Sequence, residues 1–429
     1  MKIKLGIFTR NMPSEVIESM KIFDSRVIGL IFFLSCIVMV PAWPQSDFSK
    51  KSLDWKYNLK SDIHVNYRIA RDDSLYHVYF SIKLPEGGDL ENQYSINYEI
   101  RSSLDAEELI LTRTVNYFVH GLGTIGNLKF FHIEIPDADN FNVMFLNIIH
   151  KVSGKSYTWD IPLISETIYP PPDFMLYNKN TEMPECRNYV KKSDLLIIHN
   201  LDDRKGEFFV YFYDTDFDVA DPPMYRLTKT VSKAMDIHSI FTVSPDSAFI
   251  LEREGLYFIQ SDTSTFSGIG IRVESDLYPR MTSINQLIEP IIYLSTKEEI
   301  DKLLNSDNIR TSFEMFWLNL AKSEEGARVV IKNFYDRIED ANLLFTNYKE
   351  GWKTDMGMIF TILGPPDEVY RTEGKESWYY KNPGRNQIVV FNFLNLKNLY
   401  CDDHYLLIRD NQYKSFWFKG IDNWRKGIN

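Results

Sequence analysis

The apolar residues of this chain change their spacing once along its length, and that change sets the fold class. Between His64 and Glu274, short segments alternate apolar and polar residues with a period of two, as strands with one buried face do. After Pro279 the apolar residues recur every three or four positions, which is the spacing of amphipathic helices. The sequence therefore predicts a mainly β protein with an α+β C-terminal domain.

The alternating segments form two groups, and each group is large enough for a β-sandwich. The first group lies within residues 47–165 and comprises 64–70, 76–84, 93–100, 129–135 and 142–150. The second group lies within residues 174–279 and comprises 194–199, 206–213, 240–243, 255–261 and 268–274. Turn residues separate these segments, so we predict tandem Ig-like β-sandwiches. The Cys and Trp pattern of true immunoglobulin domains is absent, and the likeness concerns architecture only.

Two proline-containing segments are the predicted joints between the parts of the chain. Consecutive prolines cannot continue a strand ladder and form a stiff linker, and such a run begins at Pro170 and ends before Asp173. Pro279 follows the last predicted strand of the second sandwich. We therefore expect domain boundaries at these two places, with a third unit in residues 285–429.

The third unit begins with helix signals. Residues 295–299 read Ser-Thr-Lys-Glu-Glu, a capping box that predicts a short helix through Leu304. A longer helix is predicted from about Ser312 to Thr346, with a candidate break at the polar residues before Gly326. Its aromatic and aliphatic residues form one stripe, which we interpret as a core face rather than as a groove for a partner.

A dense motif follows this predicted helical segment. Residues 351–369 read GWKTDMGMIFTILGPPDEV, and residues 378–380 read WYY. The motif residues are Gly351, Trp352, Thr354, Asp355, Gly357, Gly364, Pro365, Pro366, Asp367, Trp378 and Tyr380. Over about residues 285–400 the chain resembles the GWxTD domain family, bacterial envelope-associated proteins of unknown activity. One departure is Met356, which stands where that family commonly has Arg.

We interpret the motif as structural. Asp355 is placed to cap a short helix, Gly364 to end that helix in the left-handed conformation, and Pro365 and Pro366 to stop it. The segments 367–370, 376–381, 387–393 and 404–409 then predict an antiparallel meander. This helix-on-antiparallel-meander layout is similar to that of small outer-membrane assembly lipoproteins, and a likeness of fold does not carry function.

The sequence predicts no catalytic residues, no metal site and no cofactor. Asp355, Asp367 and Glu368 fit capping and turn roles better than paired acid-base catalysis, because no histidine or serine nucleophile motif accompanies them. The eight histidines show no HxxxH or HExxH spacing. Cys186 and Cys401 remain after the N-terminal segment, and whether they form a disulfide is left open.

One acidic segment has partial calcium-loop spacing. Asp214, Asp216 and Asp218 alternate as the first ligands of such a loop do. However, Val219 stands where the loop requires glycine, and Tyr225 stands where it requires an acid. We therefore interpret the segment as a solvated acidic strand end.

The N-terminal residues have the pattern of an export signal. The apolar run Val27 to Val40 is shorter than the roughly 20 residues that a bilayer-spanning helix needs. Basic residues precede it, and small residues occupy the −3 and −1 positions of a cut after Ala42. We predict a signal peptide over residues 1–42 with Met20 as the expected start, and an uncleaved anchor is the alternative.

Charge and export together limit the function. A net charge of −11 gives no basic field for nucleic acid. We expect a non-enzymatic interaction or assembly protein of the periplasm or outer membrane, with another envelope protein as its partner. Membrane contact would come only through the signal peptide or peripheral association, and the oligomeric state is left open. The alternative is a carbohydrate-binding or hydrolase-accessory protein with a pocket around Trp352, Asp355 and Trp378, which requires exposed aromatic rings.

Export can be tested by N-terminal sequencing of the protein recovered from the cell envelope. The mature chain is expected to begin at or near Trp43, because signal peptidase cuts after small residues. Recovery of a chain that still contains Val27 to Val40 would replace the cleaved signal with an anchor.

Overall fold

The computed structural model describes residues 51–60, 63–163, 168–202, 206–224, 235–321, 323–382 and 387–428. The predicted signal peptide, residues 1–42, lies outside these residues. Among the residues described, no helix combines the length and apolar character that a membrane crossing requires. The chain is mainly β, with several antiparallel sheets followed by helices, a last sheet and a terminal helix. The predicted fold class is confirmed.

The first eight strands build a β-sandwich. They are β1 (His64–Arg71), β2 (Leu75–Lys83), β3 (Tyr94–Arg101), β4 (Leu111–Thr114), β5 (Gly121–Ile125), β6 (Leu128–Pro136), β7 (Val143–His150) and β8 (Ser156–Pro162). Two antiparallel sheets result, ordered β1-β2-β6-β5 and β4-β3-β7-β8. Alternate residues of both sheets, such as Phe80 and Ile96, enter one core. Two single-turn helices, α1 (Leu90–Gln93) and α2 (Tyr117–His120), connect strands.

The next eight strands build the second sandwich. They are β9 (Phe174–Asn178), β10 (Met183–Pro184), β11 (Tyr189–Lys191), β12 (Leu196–Asn200), β13 (Phe208–Tyr213), β14 (Ser239–Val243), β15 (Gly255–Gln260) and β16 (Ile269–Glu274). The sheets are ordered β10-β9-β12 and β11-β16-β15-β13-β14, and β11 pairs with β16 in parallel. Leu176 from the smaller sheet and Val210 from the larger sheet share a buried core.

Helices dominate the start of the C-terminal unit. They are α3 (Ile284–Ile288), α4 (Lys297–Leu304), α5 (Ile309–Ala321) and α6 (Glu324–Phe345). The predicted capping box is present, with Thr296 and Glu299 as its two members. The predicted long helix is interrupted at the expected place, because the Ser323 side chain accepts a hydrogen bond from Gly326 N and starts α6 anew. The apolar stripe of α5 and α6 is buried in the core.

A helix and a meander complete the chain. Helix α7 (Asp355–Leu363) is followed by the strands β17 (Glu368–Thr372), β18 (Lys375–Asn382), β19 (Gln387–Asn395) and β20 (Tyr405–Leu407). These strands pair antiparallel in sequence order, as predicted. A last helix, α8 (Lys414–Lys426), was not anticipated. Helix α7 contacts α6, α8 and β20, which explains why nearly every residue of α7 is buried.

The two predicted joints are attached to neighbouring elements. Pro172 O accepts a hydrogen bond from Arg71 N at 2.7 Å, and Ser267 Oγ donates to Pro171 O at 3.0 Å. Pro279 O accepts a hydrogen bond from α6 at 3.1 Å. The domain boundaries themselves stay predictions. The two cysteines, Cys186 and Cys401, are free thiols in this structure.

Candidate functional site

The start of the motif is a tight 3-10 turn, Gly351–Lys353, that packs directly on α6. An added Cβ at Gly351 would lie 2.1 Å from the carbonyl oxygen of Ala341, so the two backbones can approach only with glycine here. Trp352 N donates a hydrogen bond to the side-chain oxygen of Asn342 at 3.2 Å. The turn is therefore attached to α6 through its own backbone.

Thr354 caps α7, and Asp355 does not. The Thr354 hydroxyl donates to Gly351 O at 2.7 Å and accepts a hydrogen bond from Gly357 N at 2.9 Å. An added Cβ at Gly357 would lie 1.8 Å from Gly351 O, so the second glycine of the motif is also required by close approach. The prediction that Asp355 is the N-cap is wrong, because Asp355 is the first residue within the helix.

Asp355 instead receives donors from the end of the last sheet. Its carboxylate lies 2.5 Å and 3.0 Å from the two terminal nitrogens of Arg409, and Leu407 N donates to it at 2.7 Å. Both charged side chains are buried, so this two-pronged pair is a charge-assisted contact within the protein interior. Met356 stands where the family commonly has Arg, and in this chain an arginine reaches Asp355 from position 409.

Lys353 forms an ion pair with the acidic segment that has partial calcium-loop spacing, residues 214–218. Its buried ammonium lies 2.9 Å from Asp216 and 3.3 Å from Glu289. Burial lowers the pKa of Lys353, but the surrounding carboxylates outweigh it and the pKa is raised. Asp214 pairs with Arg253 at 2.8 Å instead. Asp214 and Asp216, the first two acids of this segment, therefore pair with different basic side chains.

The two motif tryptophans are core residues. Trp352 is 1% exposed and Trp378 is 0% exposed. The hydroxyl of Tyr293 donates to Trp352 O at 3.1 Å, and the Trp378 indole N–H donates to Glu376 at 2.7 Å. Neither indole offers a face to solvent, so neither provides a stacking surface for a sugar.

The end of the motif closes α7. Gly364 has a positive φ of 83°, as predicted, but its ψ of −170° lies outside the left-handed helical region. The Tyr380 hydroxyl donates to Gly364 O at 2.7 Å. Pro365 is exposed and Pro366 is buried. The Asp367 side chain accepts a backbone hydrogen bond from Lys381 of β18 at 2.7 Å, and its turn role stays a prediction.

A buried ionic network joins the N-terminal sandwich to the last sheet. Asp160 of β8 lies 2.8 Å from the ammonium of Lys56 and 2.7 Å from the guanidinium of Arg371. Arg371 also pairs with Glu376 at 2.5 Å, and Glu376 accepts a hydrogen bond from Tyr57 at 2.5 Å. Burial raises the pKa of Asp160, but the two cations outweigh it and hold that pKa at about 2.

A cavity of about 270 Å³ lies where both sandwiches and the C-terminal unit meet. Its wall carries charged, aromatic and motif side chains: Lys56, Tyr67, Arg68, Asp160, Thr354, Met356, Arg371, Asp402, Asp403 and Tyr405. Asp402 and Asp403 keep access to solvent. Surrounding protein and the neighbouring Asp402 raise the pKa of Asp403. The motif therefore borders a polar cavity through its helix start, while its indoles stay in the core.

These features define a protein with two β-sandwiches and an α+β domain whose motif turn is part of the core. Residues 255–426 match the GWxTD domain, so this part of the chain is a GWxTD domain. The match starts with the first residue of β15 and ends with the last residue of α8. It is thus longer than the resemblance seen in the sequence. A search of curated proteins gave no match.

The pair of Asp355 and Arg409 can be tested by a double-mutant cycle. Asp355→Ala should lower the free energy of unfolding by about 3 to 5 kcal/mol, because it leaves a buried arginine without its partner. Adding Arg409→Met to that variant should restore part of the loss. Urea unfolding of the four proteins measures the coupling. Equal and additive losses in both single variants would show that the pair is not coupled.

The network around Asp160 predicts a pH dependence of stability. Because its folded pKa of about 2 lies below the ordinary value of 3.8, its contribution is present above about pH 4 and is lost as the pH falls through about 2. Asp160→Asn should therefore lower the free energy of unfolding at pH 7 by at least about 2 kcal/mol, with a smaller difference in acid. Denaturant unfolding across this pH range tests it, with the exposed Asp246→Asn as control. A difference that stays constant with pH would contradict the assignment.

Proposed function

We propose that this chain is an exported, envelope-associated interaction or assembly protein that binds another envelope protein without catalysing a reaction. The signal-peptide pattern of residues 1–42 supports export. Support for protein binding comes from a frame of buried contacts and from one exposed surface on that frame. The same reasoning favours a location in the periplasm or at the outer membrane.

The frame is the contact between the N-terminal sandwich and the GWxTD domain. Asp160 and Arg371 lie 211 residues apart in sequence and meet in a buried ion pair. Leu53 N donates a backbone hydrogen bond to Val369 O at 2.8 Å in the same region. A buried charge that loses its partner is costly, so the network disfavours other arrangements of the two parts. A surface on the sandwich is thereby held in one orientation relative to the domain.

The exposed surface is the β4–β5 edge, which we define as residues 109–125. Strand β4 ends one sheet of the sandwich and β5 ends the other. This stretch exposes six large apolar side chains: Leu109, Ile110, Phe118, Val119, Leu122 and Ile125. Phe118 is 84% exposed and Val119 is 74% exposed, both on the short helix between the strands. This concentration of exposed apolar residues is the single observation that carries the proposal.

The geometry of the β4–β5 edge favours an extended protein segment as the occupant. Within the described part of the chain, β5 pairs with β6 alone, so its other side presents backbone donors and acceptors. An added strand satisfies such groups, and apolar pockets beside it select its side chains. An exposed aromatic residue such as Phe118 is the kind of anchor that contributes most to protein interfaces.

Site-specific photo-cross-linking in intact envelopes tests this proposal. A photoreactive amino acid in place of Phe118 should give a discrete cross-linked protein, and the same amino acid in place of Val152 should not. Val152 is a suitable control because it is 90% exposed but lies in a turn remote in sequence from the β4–β5 edge. Leu122→Lys should weaken the cross-link from position 118, because it places a charge on β5. No cross-link at position 118, or equal cross-linking at both positions, would contradict the proposal.

A further inference from the structure

Two strands of the N-terminal sandwich bring three potential metal ligands to one face of their sheet. His77 of β2 lies directly opposite Glu134 of β6, and His132 lies two residues before Glu134. Residues two apart on a strand point to the same face, so all three side chains project together. One ligand atom from each residue lies within 4.8 Å of the other two.

The distances are close to those that a small divalent ion requires. His77 Nδ1 lies 3.0 Å from His132 Nε2 and 4.0 Å from a Glu134 carboxylate oxygen. Ligands 2.0 to 2.1 Å from a tetrahedral Zn²⁺ ion are about 3.3 Å apart. To bind such an ion, the two imidazoles therefore need only to move slightly apart and to rotate. Glu134 is exposed, so its side chain is free to rotate toward the imidazoles.

A second carboxylate orients the buried histidine. Asp72 lies 3.1 Å from His77 Nε2, on the side of the ring opposite His132. Asp72 is itself held, because Ser74 N and Leu75 N donate to its other oxygen at 2.8 and 2.7 Å. With its Nε2 proton donated to Asp72, His77 presents the Nδ1 lone pair to the cluster. This is the supporting carboxylate that metal-bound histidines commonly have.

The remaining histidine is also held in place by packing. The His132 ring stacks on Tyr79 with a centroid distance of 4.3 Å and nearly parallel planes. Tyr79 in turn contacts Tyr177 of the second sandwich. His132 Nε2 donates its proton to His77 Nδ1 when no ion is bound, and an arriving cation replaces that proton. The proton moves to the other ring nitrogen or to solvent.

We propose that His77, His132 and Glu134 form a binding site for a divalent transition-metal ion, with Zn²⁺ as the probe. Two imidazoles and one carboxylate suit Zn²⁺ and, with higher affinity, Cu²⁺. Three protein ligands leave a fourth position for water or for a group from a partner. Because Tyr79 links the cluster to the second sandwich, a bound ion also stabilises the contact between the sandwiches.

Titration calorimetry of the untagged full-length chain with ZnCl₂ at neutral pH tests this site. One ion should bind per chain. Glu134→Gln and His132→Gln should each weaken binding more than Asp72→Asn, which should weaken it about 10- to 100-fold because Asp72 acts through His77. The matched control is His238→Gln, which removes a half-exposed histidine that lies near Asp214, away from the cluster, and should leave the affinity unchanged.

These variants distinguish a loss of folding from a loss of metal binding. Glu134 is 57% exposed, so its substitution leaves the core intact even if a histidine variant does not fold, and circular dichroism checks each variant. Zn²⁺ should raise the melting temperature of the unaltered chain and not that of Glu134→Gln. Binding of equal affinity in every variant, or no binding of either Zn²⁺ or Cu²⁺ to the unaltered chain, overturns the proposal.

Discussion

The buried ion pair between Asp160 and Arg371 is the contact on which the arrangement of this molecule depends. Asp160 belongs to an edge strand of the N-terminal sandwich, and Arg371 belongs to the first strand of the last sheet. Neither charge is tolerable in the interior alone, so each part of the chain requires the other. Strand β8 shows the consequence, because it lies at a sheet edge and yet is buried on both faces.

The GWxTD motif likewise fixes how segments of the chain pack together, here within the C-terminal domain. Gly351 lets the turn approach α6, and Gly357 lets α7 approach the turn, so three backbone segments meet without side chains between them. Thr354 connects the turn to the helix through one hydroxyl, and Asp355 then receives an arginine from beyond β20. The five letters of the motif thus specify a packing arrangement. The polar groups of the motif form their hydrogen bonds and ion pairs within this packing. The charged residues that line the polar cavity beside the motif therefore come from elsewhere in the chain.

Much of the fold could be predicted from the sequence because local patterns determine it. The segments that alternate apolar and polar residues are strands in the structure, and their predicted bounds agree with the observed ones within one or two residues. The capping box at Thr296 correctly marks a helix start. Strands β4 and β5 were missed because they are largely exposed edge strands with no buried face to produce alternation. Strand β8 was missed for the opposite reason, since burial on both faces removes the polar positions. Helix α8 follows the last predicted strand and packs on α7 and α5, which precede it in the chain.

The site residues were harder to predict because their partners are distant in sequence. Asp355 reads as a helix cap, and only the fold shows that Arg409 and Leu407 reach it. A search for histidines at helical spacing likewise cannot find a cluster that forms across two strands. The local signal that was available is His132-x-Glu134, two ligand types one strand repeat apart.

Two groups of residues in this protein differ in burial: the charged residues that fix the frame and the apolar residues of the β4–β5 edge. Charges that fix the frame are almost inaccessible, as Asp160 and Glu376 show, and they cannot meet a partner without unfolding their surroundings. Phe118 and Val119 are the reverse, since they contribute little to the core and remain open to contact. Substitutions in the first group should therefore change stability and binding together. Under the proposed function, substitutions at the β4–β5 edge should change binding alone, and this difference distinguishes a residue that holds the frame from one that contacts another protein.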